Sequence, residues 1–285
     1  MNTFLLPARQ WILLVLVLVA TACDRREFIP ATEIGMTPHL EAGELPIEYG
    51  EPYWFLDSLG HYFFSFPSKL IFLNGKVCNH HINPRTVERL ENYLKANNLT
   101  HVKVRVNQYA PLDEWHRLTE NTSMGWGWRY TFGVIGWLHY TLIPERLFAG
   151  FFFSSGDHYN PYTNTIHIFS DHESIAIHEG GHARDTAETT WKGTYSALRI
   201  LPLVPLWQEF KATDDTFAWH RHITETRSVK KDYKMLYPAY CTYIGGEISN
   251  FTGLGYVIEL PLVAFGHIIG RSHAAQEKAP DAGSP

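Results

Sequence analysis

Between Thr163 and Ala187 the chain changes its hydrophobic period within a few residues, and this switch constrains the fold more than any other stretch. Thr163 to Phe169 (TNTIHIF) is short and rich in β-branched residues, which predicts a strand. Ser170 follows with Glu173 at capping-box spacing, predicting a helix from Ser170 to about Ala187. On that helix His178 and His182 stand four positions apart, so their imidazoles share one face and can point at a single ion. Glu179 projects close to such an ion without binding it, where a carboxylate can take a proton from water. Gly180 and Gly181 fill the middle of the run. Two adjacent glycines in a helix interior cost roughly 1–2 kcal/mol relative to alanines. Either close packing against a neighbour or open space above a metal would account for that cost.

Elsewhere the pattern is mixed. Residues 60–75 cluster aromatics in a strand-like alternation. Asn83-Pro84 offers a cap and a first-turn proline for a helix over Arg85 to Ala96, with Leu90 and Leu94 as its buried stripe. Val102, Val104 and Val106 alternate with Lys103 and Arg105, which predicts a half-buried strand. Residues 112–120 are expected to be helical, 126–153 to form strands and loops, and Asp157 to Tyr162 a turn. Beyond Ser170 the chain is expected to be mainly helical, over 194–201, from Pro205 to about His222, over 228–248 and over 251–270. Glu259, Pro261 and His267 argue against a membrane span in the last of these, because mid-span charges are costly. The expected fold class is α+β, with a small sheet in a mixed N-terminal half and a helical C-terminal half carrying the histidine helix.

The N-terminus has the pattern of an export signal. Trp11 to Ala20 is unbroken apolar chain, too short to span a bilayer but right for the h-region of a signal peptide. Val19-Ala20-Thr21-Ala22-Cys23 resembles a bacterial lipobox, which implies lipidation at Cys23. The alternatives are an ordinary signal peptide cleaved nearby and an uncleaved anchor. Asp24 resembles an inner-membrane retention signal, so the expected location is the cell envelope, lipid-anchored and facing the periplasm. Residues 24–50, rich in Pro, Gly, Thr and Glu, suggest a tether. Cys78 and Cys241 remain, either as a disulfide or as two buried thiols. A net charge of −5 with no basic stripe argues against nucleic acid as a partner.

His178-Glu-Gly-Gly-His182 matches the HExxH signature of zinc metallopeptidases, and the chain over about 165–190 resembles that group. The resemblance implies a zincin-like fold, one zinc ion, Glu179 as the general base and a peptide or protein substrate. The TNTIHIF strand is similar to the edge strand that pairs with extended substrate in zincins. Metzincins need a glycine and a third histidine where this chain has Asp185 and Glu188. The gluzincin pattern instead takes a Glu from a later helix, here Glu209, a lone carboxylate in an apolar segment that wants a partner. A solvated helix residue is the competing view of Glu209, with Glu225 and Asp214 as reserve ligands. The Asp that buttresses a motif histidine in gluzincins falls on Thr213 here, one position before Asp214. Asp185 is a further candidate to hold a ligand histidine, and could equally pair with Arg184 or Lys192. Tyr237, Tyr240, His220 and His222 are candidates for stabilising an oxyanion, and His172 is expected at the helix surface. The implied layout is a signal peptide over 1–22, a tether over 23–50, one zincin-like domain over 51–273 and a disordered tail over 274–285. The expected function is a membrane-tethered zinc peptidase. The alternative is an inactive zinc-binding structural or interaction lipoprotein.

Overall fold

The computed structural model describes residues 27–32, 35–41, 43–151, 156–253 and 255–278. The expected signal segment, Cys23 and the end of the expected tail lie outside these residues. The described chain forms two compact units, one spanning Ile29–Ala212 and the other taking Phe28 with the chain from Thr213 onward. The residues 51–273, expected as one domain, fall in both units.

The first unit is built on a four-stranded sheet. Its strands are β1 (Ile47–Tyr49), β2 (Lys103–Val106), β3 (His158–Asn160) and β4 (Thr165–Ile168), in the order β1-β2-β4-β3. β1, β2 and β4 run parallel, with Ile47 opposite Val104 and Val104 opposite Ile166. β3 is antiparallel to β4, with His158 opposite His167. β1 belongs to the stretch expected as a tether, and that tether ends early. Ala31 and Met36 are buried, and the Ala31 amide donates to Asn97 Oδ1. Single apolar anchors of this kind leave no period to detect.

β2 departs from its expected half-burial. It lies between two strands with both faces covered, and Lys103 and Arg105 are each 1% exposed. Burying these charges is tolerable because each is paired. Lys103 Nζ reaches Glu44 at 2.7 Å and Glu48 at 2.6 Å, while Arg105 Nε donates to Glu114 at 2.7 Å.

Helices surround the sheet. In chain order they begin with α1 (Trp54–Leu59), a π-helical turn (Gly60–Phe64), α2 (Phe66–Phe72), α3 (Pro84–Ala96) and α4 (Pro111–Glu120). The cap of α3 forms as expected, with Asn83 Oδ1 accepting from the Arg85 amide at 2.9 Å. The segment 60–75, expected as strand, is helical with its polarity reversed. Gly60, Ser65 and Ser68 are buried, whereas Tyr62, Phe63 and Phe66 face solvent. The aromatics that suggested a strand thus lie on the outside.

The region 126–153 also turns out helical where described, through α5 (Trp126–Trp128), a π-helical stretch (Arg129–Gly133), α6 (Val134–Leu142) and α7 (Glu145–Phe148). Its glycines include packing contacts as well as breaks. A Cβ on Gly133 would lie 2.6 Å from Leu118 Cδ1. Within the turn expected over Asp157 to Tyr162, His158–Asn160 form the edge strand β3, and the chain turns from Pro161 onward.

The helix after β4 is α8 (Glu173–Ala187), followed by α9 (Lys192–Ala197), a 3-10 turn (Leu198–Ile200) and α10 (Val204–His222). Its N-cap is His172, buried rather than on the surface, and no side chain caps it. The expected capping box does not form. Ser170 Oγ instead donates to the Asp157 carboxylate and accepts the Cys78 amide at 2.6 Å. At the other end Lys192 Nζ donates to the Thr186, Ala187 and Thr189 carbonyls at 3.2, 3.0 and 2.7 Å. A buried ammonium there satisfies the orphan carbonyls of the last turn.

The second unit contains the rest of α10, α11 (Thr226–Thr252) and α12 (Tyr256–Gln276). α11 and α12 approach through glycines, for a Cβ on Gly266 would sit 2.8 Å from Pro238 Cα. Among the described residues no helix is long and apolar enough to cross a membrane. α12 continues to Gln276, into the stretch expected as tail from 274. Cys78 and Cys241 are both free and buried.

Candidate metal centre

α8 carries His178, Glu179 and His182 along its middle turns, and all but two of its residues are buried. The glycine pair lets this helix sit unusually close to two neighbours. A Cβ on Gly180 would lie 2.6 Å from the Tyr93 ring of α3, and one on Gly181 3.0 Å from Ala212 Cα of α10. Of the two accounts of the glycines, close packing is the one the structure bears out. The contact at Gly181 also brings Glu209, on the same helix as Ala212, up to the histidines.

Glu209 is 1% exposed and is shared by both imidazoles. Its Oε2 lies 3.0 Å from His178 Nε2 and its Oε1 lies 3.4 Å from His182 Nε2. The two rings are edge-on, 4.7 Å between centroids at 88°. One ligand atom from each of the three residues falls within 4.8 Å of the others. Two imidazoles and a carboxylate form a donor set used by catalytic zinc sites, so the residues present suit that metal. A solvated Glu209 is ruled out by its burial. Glu41, His116 and Glu120 form a second group at similar spacing, but all three are exposed.

Glu179 is 8% exposed and is held from the edge strand, its Oε2 accepting the Tyr159 amide at 2.9 Å. Burial pushes its carboxyl well above the ordinary carboxylate range, helped by the charges of Glu209 and Asp157. Glu209 behaves oppositely. Burial alone would raise it, but His182, His178 and Arg199 together hold it well below the ordinary range. Burial lowers His182, against the raising effect of Glu209. Two neighbouring carboxyls are thus shifted in opposite directions, Glu179 upward and Glu209 downward.

Three participants carried no signal in the sequence. Arg199, on the 3-10 turn, donates from Nη2 to Glu209 Oε1 and from Nη1 to Gln208 Oε1 at 3.3 Å. Asp157 accepts the Phe169 and Ser170 amides at 2.7 and 2.9 Å, tying the start of β3 to the end of β4. Tyr159 acts through its backbone, and backbone donors leave no trace in residue type. The likeness of TNTIHIF to an edge strand is also corrected, because β4 is interior and β3 is the edge beside Glu179.

Asp185 does not hold a ligand histidine, nor does it pair with Arg184 or Lys192. Its carboxylate takes the Tyr195 hydroxyl and the Lys211 ammonium, joining α8 to α9 and α10. Arg184 binds the Ile29 carbonyl at 2.6 Å and Glu188 at 3.3 Å. Asp214, Glu225, Tyr237, Tyr240, His220 and His222 belong to the second unit, where His220 Nδ1 lies 2.6 Å from Asp232 Oδ2. Comparison with protein families, with curated proteins and with solved structures returned no match.

Proposed function

We propose that this chain is a zinc-dependent hydrolase of the zincin kind, acting on peptide or protein substrate at the cell envelope. His178, His182 and Glu209 would be its metal ligands. The observation that carries the proposal is Glu209, a nearly inaccessible carboxylate brought from a separate helix to within hydrogen-bonding distance of a motif histidine. A fold that needed only a packed helix would not bury an acid there. Zinc in this donor set supplies Lewis acidity, polarising a carbonyl and acidifying water. Glu179 takes the proton from the attacking water and hands it to the leaving amine, and the Tyr159 amide fixes the carboxylate for both transfers. Arg199 anchors Glu209 through one oxygen, which orients the carboxylate toward the histidines. Anchorage through a lipid on Cys23, and the periplasm-facing site it implies, belong to the same proposal.

The test pairs metal content with turnover. Purified protein is expected to hold one zinc per chain by elemental analysis and to cleave a casein or mixed-peptide substrate. Glu179→Gln should retain the zinc and lose at least about 100-fold in rate, the size of a general-base contribution. Protein without stoichiometric zinc would overturn the metal assignment. Zinc with no hydrolysis in the wild type would favour the binding lipoprotein.

A further inference from the structure

A concavity of about 600 Å³ lies at the carboxyl ends of β1 and β2. Tyr49, Gly50, Val106 and Asn107 form its strand side, and none of the three metal ligands lines it. The carboxyl ends of parallel strands are where open α/β sheets receive ligands. This end of the sheet is also unusually irregular. His80 and Asn107 both lie in left-handed backbone conformation, at φ +54° and +48°. The facing wall is the π-helical turn over Gly60–Phe64, which contributes His61 and Tyr62. Strained non-glycine backbone and π-helical turns concentrate at functional sites. His80 is buried, with Nδ1 2.8 Å from Asn107 Oδ1, while its Nε2 has no hydrogen-bond partner.

The chemistry of the walls selects the ligand. Trp54 and Tyr62 are 80% and 75% exposed, and Tyr49 is 56% exposed. Rings so far from the core do little to stabilise the fold. The lining also holds planar polar groups, of which Asn79, Asn107 and His61 are bonded within the protein, to the Asp171 amide, His80 and Lys69 respectively, while the His81 ring is left available. No lysine or arginine lines the cavity, which disfavours phosphates and carboxylates. The one carboxylate, Asp57, is already paired with Arg146 at 2.9 Å, which disfavours a cation. The His81 imidazole makes no hydrogen bond among the described residues, so a wholly apolar ligand would leave that polar edge unused. What remains is a neutral molecule with hydroxyls on its rim and C–H groups on its faces.

We propose that this cavity binds a saccharide, with Trp54 and Tyr62 stacked on sugar rings and the His81 imidazole bonded to a hydroxyl. The site stands independently of the metal centre. A zinc hydrolase carrying it would be held at a glycan surface or directed to glycan-bearing substrate.

The test is calorimetric titration of the full chain with tri-N-acetylchitotriose and with maltotriose, inorganic phosphate serving as a charged comparator. At least one sugar is expected to bind saturably with Kd at or below about 1 mM. Trp54→Ala should weaken it about tenfold, in line with loss of one stacking ring. Tyr62→Ala should act in the same direction, and zinc content should be unchanged in both variants. Since both side chains face solvent, folding is expected to survive, as far-UV circular dichroism will check. Absence of saturable binding by either sugar, unchanged affinity in both variants, or preferential binding of phosphate would each overturn the proposal.

Discussion

Replacing Gly180 with alanine sets two opposing effects against each other. In an isolated helix the change would stabilise by about 1 kcal/mol, because glycine is the costlier residue in a helix interior. Here the new methyl would sit 2.6 and 2.7 Å from two carbons of the Tyr93 ring and 3.3 Å from Leu90 Cδ1. Tyr93 is 0% exposed and Leu90 1%, so the ring has no free space to rotate into. Overpacking a filled core costs about 1–3 kcal/mol, and a contact this short belongs at the upper end. The net expectation is a loss of about 1–2 kcal/mol, which would lower the urea midpoint without changing the slope. Urea titration followed by far-UV circular dichroism measures it. A double-mutant cycle with Tyr93→Leu isolates the cause, since Gly180→Ala should cost less once the ring is gone. If Gly180→Ala alone matched or exceeded wild-type stability, the packing account of the glycine pair would be wrong.

Two other perturbations probe the sheet. His80 is pushed down to about 4 chiefly by burial, whereas its unfolded counterpart titrates at 6.5. Between those values the unfolded chain binds the extra proton, so the stability that depends on this group is complete above about pH 6.5 and falls as pH drops toward 4. Urea midpoints across that window should decline more gently in His80→Gln than in wild type; an identical decline would clear His80 of the effect. Arg105→Leu strands Glu114 in the core without its 2.7 Å partner. The expected loss is about 3–5 kcal/mol by chemical denaturation, and a loss under about 1 kcal/mol would show that the pair is dispensable.

The parts of the fold legible in the sequence were those where one physical signal acted alone. The helix over Pro84–Ala96 announced itself through Asn83, Pro84 and an apolar stripe, and β4 through its β-branched run. The reading failed where a residue served a purpose opposite to its usual one. Tyr62, Phe63 and Phe66 face water, glycines such as Gly133 pack helices, and Lys103 and Arg105 sit inside as paired ions. Ser170 has capping chemistry but gives its hydroxyl to Asp157. At the candidate centre the histidines and Glu209 could be inferred because their side chains carry the chemistry. Arg199 and the Tyr159 amide could not, since what matters about them is where the fold puts them. Helix spacing says which residues share a side with Asp185, while its actual partners, Tyr195 and Lys211, come from other helices.

The contact at Gly181 has a consequence for tolerance. With no side chain between α8 and the Ala212 backbone of α10, the gap between the two helices is gauged by main chain against main chain. A spacer side chain could change rotamer and reset that gap, whereas touching backbones cannot. For the proposed metal centre this means that His178, His182 and Glu209 would be held at a set separation before an ion bound, leaving little motion to freeze out. A frame this stiff discriminates by size, rewarding an occupant that fits the fixed span and penalising one that would have to pry the helices apart.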